Sequence, residues 1–301
     1  MLAFLRPFLI LLALALPALA EEPATAPSPS IWGIGVGYSP EYFHWHETET
    51  YRWWKPNSDE EIQGNSYRFL TEFGVRHRFH VDLECQPDPK IRLDARVTYL
   101  AAAVYYDGGL QPTSASASTW PRDSTIIDGQ TYYKYASEPL TSVTGYKGWQ
   151  FDATAHGEIP LRPQLFLDAS LGWSYRSIKR MIDYDGSGSS GSGYDETWTL
   201  NWTEIGIGPG VRRRTWKASL REICLIPISA KEDVDLTAKQ FTLSPAANNG
   251  WRTELNVEWN FGLRMALSYE QRDFSESPSV STYSQPASVE RVGRLDASWF
   301  F

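Results

Sequence analysis

The chain has 301 residues and a formal net charge of −8, with 28 Lys and Arg against 36 Asp and Glu. Two cysteines exclude a disulfide-dense scaffold. The hydrophilic average excludes a bundle of apolar membrane helices, and the acidic balance excludes a nucleic-acid partner, which would want a basic patch. The 42 aromatics (13 Trp, 16 Tyr, 13 Phe) are unusual in so polar a chain.

Residues 1–20 read as a secretory signal peptide. Arg6 supplies the positive start, Phe8 to Leu16 form an apolar run, and Ala18-Leu19-Ala20 has the small-x-small form of a cleavage site. Residues 21–301 would then be the exported domain.

From there the recurring signal is period two, which places alternate side chains on opposite faces of a strand. In 91–106, Ile91, Leu93, Ala95, Val97, Tyr99, Ala101, Ala103 and Tyr105 share one apolar face, and Arg92, Asp94 and Arg96 begin the other. The pattern repeats at 68–83, where Phe69, Phe73, Val75, Phe79, Val81 and Leu83 oppose Arg68, Glu72, Arg76, Arg78 and His80. It returns from Leu165 to Arg176 and from Leu263 to Glu270. Soluble strands average about five or six residues, whereas these stretches are much longer. Long strands that are apolar on one face and polar on the other fit a transmembrane barrel, which must close because lipid offers no partner for backbone polar groups.

The expected fold is therefore all-β, a transmembrane antiparallel up-and-down β-barrel of about ten strands, with eight or twelve as the alternative counts. The strands are read at 32–46, 65–81, 91–107, 140–156, 164–181, 196–209, 214–229, 250–260, 263–275 and 288–301. Long connections (47–64, 108–139, 182–195, 230–249, 276–287) alternate with short ones near 82–90, 157–163, 210–213 and 261–262, as in bacterial barrels with long extracellular loops and short periplasmic turns. The stretch Tyr132-Tyr133-Lys134-Tyr135 would prolong a strand above the membrane, and the Gly/Ser run 186–193 reads as a loop tip.

The aromatics fit two interfacial girdles. The outer one would hold Tyr42, Phe43, Trp45, Trp53, Trp54, Tyr105, Tyr106, Trp173, Tyr175 and Tyr269. The inner one would hold Trp32, Phe79, Trp216, Trp259, Phe261 and Trp299.

The chain ends Gly293-Arg-Leu-Asp-Ala-Ser-Trp-Phe-Phe301. Leu295, Trp299 and Phe301, with a terminal Phe, resemble the signal read by the barrel-assembly machinery, which is the expected partner during biogenesis. Trp45-x-Glu47, Gly145-Tyr-Lys-Gly-Trp149, Pro227, Leu243-Ser-Pro245, Gln285-Pro286 and this last strand give the chain a resemblance to uncharacterised outer-membrane β-barrel proteins of Proteobacteria, omptin-like in size. That resemblance implies a fold, an outer-membrane location in a Gram-negative cell and contact with outer-membrane lipids, including lipopolysaccharide. It implies no activity, and no cofactor or metal is expected.

The lumen is expected to carry Arg68, Glu72, Arg76, Arg92, Asp94, Arg96, Asp152, His156, Asp168, Arg176, Glu254, Glu258, Arg264, Glu270 and Asp296. Mixed signs suit either a charge-selective, porin-like narrow pore or a network of paired charges that plugs the barrel. The plug is favoured, because a ten-stranded barrel is little wider than one whose side chains fill it. The preferred reading is thus a monomeric, non-enzymatic structural or surface barrel, or a narrow pore.

The alternative is an outer-membrane hydrolase acting on lipid A or peptides at the extracellular rim. Omptins use an Asp pair and a His-Asp pair there; this chain offers Asp183-x-Asp185 and Asp233-x-Asp235 but no Asp-x-His, and His80-x-Asp82 is reversed. His44, His46 and Glu47 are the outer-rim candidates for lipid hydrolysis or metal binding, with no Ser partner or third ligand specified. Cys85 and Cys224 are read as lying too far apart for a disulfide.

Overall fold

A computed structural model describes residues 32–54, 61–110, 121–127, 130–135, 138–182, 194–236, 239–280 and 284–301. The proposed signal peptide, Asp183, Asp185 and the Gly/Ser run lie outside the described residues, as do the side chains of Trp53, Trp54 and Arg68.

Thirteen strands follow in chain order: β1 (Trp32–Trp54), β2 (Glu61–Asp88), β3 (Ile91–Leu110), β4 (Pro121–Ile127), β5 (Gln130–Tyr135), β6 (Glu138–Arg162), β7 (Leu165–Ile182), β8 (Tyr194–Arg212), β9 (Trp216–Leu236), β10 (Lys239–Leu243), β11 (Gly250–Trp259), β12 (Leu263–Phe274) and β13 (Ala287–Phe300). Ten of them close an antiparallel barrel in the order β13-β12-β11-β9-β8-β7-β6-β3-β2-β1, with β1 pairing back onto β13. The count of ten holds. β4, β5 and β10 are additions outside the ring: β4 and β5 form a hairpin that meets β1 at Trp54↔Tyr133, and β10 folds back on β9.

The short turns are tight, at 89–90, 163–164, 213–215 and 260–262. Gly262 adopts a φ of 95°, a conformation that disfavours a side chain, and its amide donates to the Trp259 carbonyl at 3.0 Å, closing the turn. At the other end the strands run well past the sequence-based limits. β1 ends at Trp54 rather than 46, and β9 at Leu236 rather than 229. Backbone pairing continues there although the two faces are polar or mixed, so no clean apolar–polar alternation marks it.

Following hydrogen-bonded partners once round the barrel leaves β9 at Ala218 and returns to it at Lys231, thirteen residues farther along. One of those residues belongs to the irregularity between Asn201 and Trp202, opposite Pro227. A stagger of about 12 on ten strands tilts them by about 40°. On β1 the outward apolar set runs from Trp32 to Tyr42. At that tilt it spans about 25 Å, the height of a membrane's apolar band.

Outward aromatics bound this band. Phe261 lies between Trp259 and Trp299 at the inner end, with ring centroids 6.2 and 5.7 Å away, and Trp251 meets Tyr269 at 5.3 Å at the outer end. Three expected girdle residues instead turn inward: Phe43, Trp45 and Tyr106 are buried in the lumen. Each follows an outward or half-exposed neighbour (Tyr42, His44, Tyr105), and strand alternation sends it to the other face. Phe79 packs between Tyr38 and Tyr99 by register, at mid-height rather than the inner end.

Candidate functional site

The lumen is the one interior surface the fold builds, and its side chains come from every barrel strand. It divides into three levels. Nearest the short turns, a polar cavity of about 160 Å³ is lined by Arg92, Arg96, His156, Arg221 and Arg264 together with Asp94, Asp152, Glu254, Glu258 and Asp296. Its charges are paired. Arg96 bonds Asp82 at 2.5 Å and Asp296 at 2.8 Å. Arg92 bonds Asp94 at 2.9 Å and also Glu258, and Arg264 bonds Glu84. His156 lies 3.2 Å from Asp94 and 2.6 Å from an Arg221 nitrogen, while Ser219 donates to Asp168 at 2.7 Å.

Above the cavity a buried belt of ion pairs crosses the barrel. Glu41 accepts from Arg76 at 2.5 Å, Arg78 at 3.3 Å and Arg294 at 3.0 Å. Glu290 accepts from Arg76 at 3.2 Å, Arg176 at 2.7 Å and Arg272 at 3.1 Å. Arg272 also meets Glu270 at 2.7 Å, and Arg252 bridges Glu270 at 3.3 Å to Glu204 at 2.5 Å. These carboxylates and guanidiniums are almost wholly buried. Burial of charge is tolerable only with such pairing.

The outermost level is apolar. Trp45, Trp198 and Phe274 meet at centroid distances of 5.1 to 5.7 Å, Phe43 packs edge-on to Tyr146 at 5.3 Å, and the Arg76 guanidinium lies 3.9 Å over the Phe43 ring. Leu100, Val104 and Tyr106 on β3 fill the same level. Beside them Arg180 holds Glu72 at 2.8 Å and Glu196 at 2.5 Å.

This last cluster lies beyond the apolar band. There Glu232 is buried with neither carboxylate oxygen bonded, and burial, with the nearby Glu196 and Glu47 charges, pushes its carboxyl well above the ordinary value of 4.5. Burial likewise raises Glu47, against the opposing pull of Arg180. Asp233, on the outer face of the same strand, behaves oppositely: partial burial would raise it, but bonds from Lys231 and Thr242 hold it below its ordinary range.

The described members of the expected lumen set all face inward and join these levels. Arg78 and Arg294, on the polar faces that alternation assigns to Arg76 and Asp296, belong to the same surface, and Glu41, Arg180, Glu204, Arg221, Arg252, Arg272 and Glu290 belong to it and were missed. Parity would have found several: Arg252 shares its face with Glu254, Arg272 with Glu270, and Glu290 with Asp296.

The outer-rim candidates do not converge. His44 and His46 share the outward face of β1, with ring centroids 5.7 Å apart, while Glu47 points inward, where it accepts from Trp45 at 2.9 Å. An odd spacing along a strand places side chains on opposite faces. Among the described residues no Asp-His pair forms beside Asp233, whose carboxylate accepts from Lys231 and Thr242. A Ser-His contact does occur inside: Ser298 Oγ is 2.9 Å from His80 Nε2. Yet Asp82 and Asp296 approach that same nitrogen, at 3.5 and 3.8 Å, and Nδ1 is buried without a partner. A triad needs its acid on the nitrogen away from the serine. Among the described residues no three or more acidic, His or Cys side chains are disposed to hold a metal ion. Cys85 is half-buried at the inner end of β2, Cys224 is exposed on β9, and the two are not bonded to each other. Leu295 and Trp299 face outward, and the Phe301 amide bonds the Ile34 carbonyl at 3.0 Å, so the last residues complete the closing seam.

No protein-family model matches the chain, and no curated protein matches it either. Solved structures do. The outer-membrane protease OmpT from Escherichia coli is similar at a TM-score of 0.51 and 10% identity, over 93% of this chain and 99% of that one. The Ralstonia pickettii toluene transporter TbuX is similar at 0.35 and 8% identity, over 94% and 93%. A Pseudomonas aeruginosa FadL homologue is similar at 0.30 and 10%, over 89% and 90%. The fold is that of the outer-membrane β-barrels.

Proposed function

We propose that the protein is an integral outer-membrane barrel with a closed lumen, whose role is carried by its outer surface rather than by conduction or catalysis. The observation that carries this is the belt around Glu41 and Glu290. Carboxylates from β1 and β13 bond guanidiniums from β2, β7, β12 and β13, so pairs reach across the interior rather than lining a wall. The aromatic level above it adds a second seal. The cavity below is confined to the end bearing the short turns.

The surface reading is supported by the strand extensions, the β4–β5 hairpin and β10, all beyond the apolar band. Just past that band, Lys147 stands in register with Lys179, which is paired with Asp195, and Arg291 lies on the same outward level. Outward Lys and Arg side chains at this level suit the anionic headgroups of lipids such as lipopolysaccharide. A hydrolytic role finds no assembled nucleophile, base and orienting acid among the described residues.

Liposome swelling tests the reading. Proteoliposomes carrying the folded barrel are expected to exclude a pentose and glycine as protein-free liposomes do. Swelling at rates that rise with protein content would overturn closure.

A further inference from the structure

The end of the barrel bearing the short turns is basic on one side. The turns at 89–90, 163–164 and 213–215 are neighbours round the ring, because β3 pairs β6 and β7 pairs β8. The stretches 88–91, 158–166 and 209–217 carry Lys90, Arg162, Arg212, Arg213, Arg214 and Lys217, in a chain whose net charge is −8. Their acids are Asp88 and Glu158. The fourth turn, Asn260-Phe261-Gly262, is uncharged.

Both acids are engaged. Arg212 and Lys217, opposite each other on β8 and β9, donate to Glu158, Lys217 at 3.1 Å, and Asp88 accepts from the Lys90 amide at 2.8 Å. Among the described residues neither acid pairs with Arg162, Arg213 or Arg214. Arg213 donates from Nη1 to Gln164 at 3.1 Å, while its Nη2 is buried without a partner. Arg162 and Arg214 are exposed.

The position of these arginines matters as much as their charge. The β6–β7 ladder skips Leu161, so Arg162 stands opposite Leu165. Leu165 alternates with the buried Phe166 and so faces lipid, and opposed residues of a ladder share a face. Arg162 therefore ends an outward set that includes the exposed Ile159 and Leu161. Arg213 follows Val211, the register partner of Leu165, by two residues, and its amide bonds the Trp216 carbonyl at 2.8 Å. Trp216 stands in register with the girdle residue Trp259. The arginines thus lie one step beyond the inner edge of the apolar band, at the depth of lipid phosphates. A cavity of about 60 Å³ at the same rim is lined by Lys90, Arg162 and Arg212 around Phe166. One water needs about 10–15 Å³ of such space, so about four or five heavy atoms fit, the size of a phosphate group.

We propose that the inner rim of β6, β7 and β8 is a binding site for the phosphodiester headgroup of an anionic phospholipid in the inner leaflet. A guanidinium presents a fork of donors that matches two phosphate oxygens, and basic pockets at a membrane surface hold anionic headgroups. A phosphate oxygen brought against the Arg213 fork relieves its unpartnered nitrogen, with Arg162 and Arg214 on either side. The acyl chains then lie along Ile159, Leu161 and Leu165. The occupant is a lipid rather than a soluble anion or an acidic protein because Arg162 and Arg213 continue the face that meets hydrocarbon. The site is separate from the outward cations at the opposite end of the barrel and independent of whether the lumen is closed.

Native mass spectrometry tests it, with the folded barrel released from mixed micelles that hold phosphatidylglycerol and phosphatidylethanolamine in equal amounts. Phosphatidylglycerol is expected to be retained in preference. The triple variant Arg162→Gln/Arg213→Gln/Arg214→Gln should lower its retention about tenfold or more, with the heat-dependent gel shift of the folded barrel unchanged. Arg214→Gln alone, at the exposed turn tip, should lower it about threefold, and Arg214→Lys should keep it. Lys147→Gln, at the opposite end, should leave it unchanged. Glycerol 3-phosphate in excess should not displace the lipid, because the acyl chains are part of the site. The proposal is overturned if phosphatidylethanolamine is retained equally, if the triple variant and Arg214→Gln hold as much lipid as the parent, if Lys147→Gln loses as much as they do, or if glycerol 3-phosphate displaces the lipid.

Discussion

Glu290 is the most heavily engaged carboxylate of the belt, and Glu290→Ala isolates what the belt contributes. Three guanidiniums donate to it. Two have other acceptors: Arg76 keeps Glu41 at 2.5 Å, and Arg272 keeps Glu270 at 2.7 Å. Arg176 bonds Glu290 through both terminal nitrogens, and its Nε is already buried without a partner. The substitution therefore leaves Arg176 as a buried charge with no direct acceptor among the bonds described. Removing one partner of a buried pair costs about 3–5 kcal/mol, mostly from the charge left behind. Urea unfolding of the barrel in lipid vesicles, followed by tryptophan fluorescence, should show that loss. Adding Arg176→Met should recover part of it, because the stranded charge goes too. The half-exposed Lys231–Asp233 pair is the contrast, and Asp233→Ala should change stability by no more than about 1 kcal/mol. A loss below about 1 kcal/mol for Glu290→Ala, or a double variant that merely adds the two single losses, would refute the reasoning.

Three further outcomes follow. Because the folded protein holds a proton on Glu232 above the ordinary 4.5, the native state binds more protons than the unfolded chain from that value up to its raised folded value. Stability should fall as pH rises through this window, and Glu232→Gln should flatten the fall and stabilise the protein at pH 8; an unchanged urea midpoint for the variant at pH 8 counts against the assignment. A Cβ on Gly37 would stand 2.5 Å from the Ala297 carbonyl oxygen and 2.0 Å from His80 Nε2, at the β1–β13 closure, so Gly37→Val should prevent folding, seen as loss of the heat-dependent gel shift. Trp202→Ala empties a buried site below the outer level, where the ring also receives the Arg272 guanidinium at 4.0 Å; a loss of about 3–5 kcal/mol is expected in the same urea assay, and a near-neutral result would show that the lumen is not close-packed there.

Much of the barrel was legible because a membrane-spanning strand shows its faces in its hydropathy. Ile91 to Tyr105 on β3 is the clearest case, and the ten-strand count follows from repeats of it. The outer halves were not legible for the same reason. From Glu47 to Trp54 both faces of β1 are polar or mixed, so pairing with β2 goes on without a hydropathy signal. The lumen charges were read by parity, and those missed, such as Arg252 and Glu290, were equally available to it. The apolar level inside was hidden by a different cause. Trp and Tyr serve both at interfaces and in cores, and composition does not say which face of the strand a ring is on. Only the phase set by Tyr42 and Tyr105 turns Phe43, Trp45 and Tyr106 inward. Pairings such as Arg76 with Glu290, 214 residues apart, depend on closure and register, which no local pattern encodes.

Closure of the lumen is tested most directly by electrical recording from the folded protein in planar lipid bilayers. The account predicts silence at applied potentials up to the breakdown of the membrane itself. Steady, reproducible current steps that depend on the protein would contradict it.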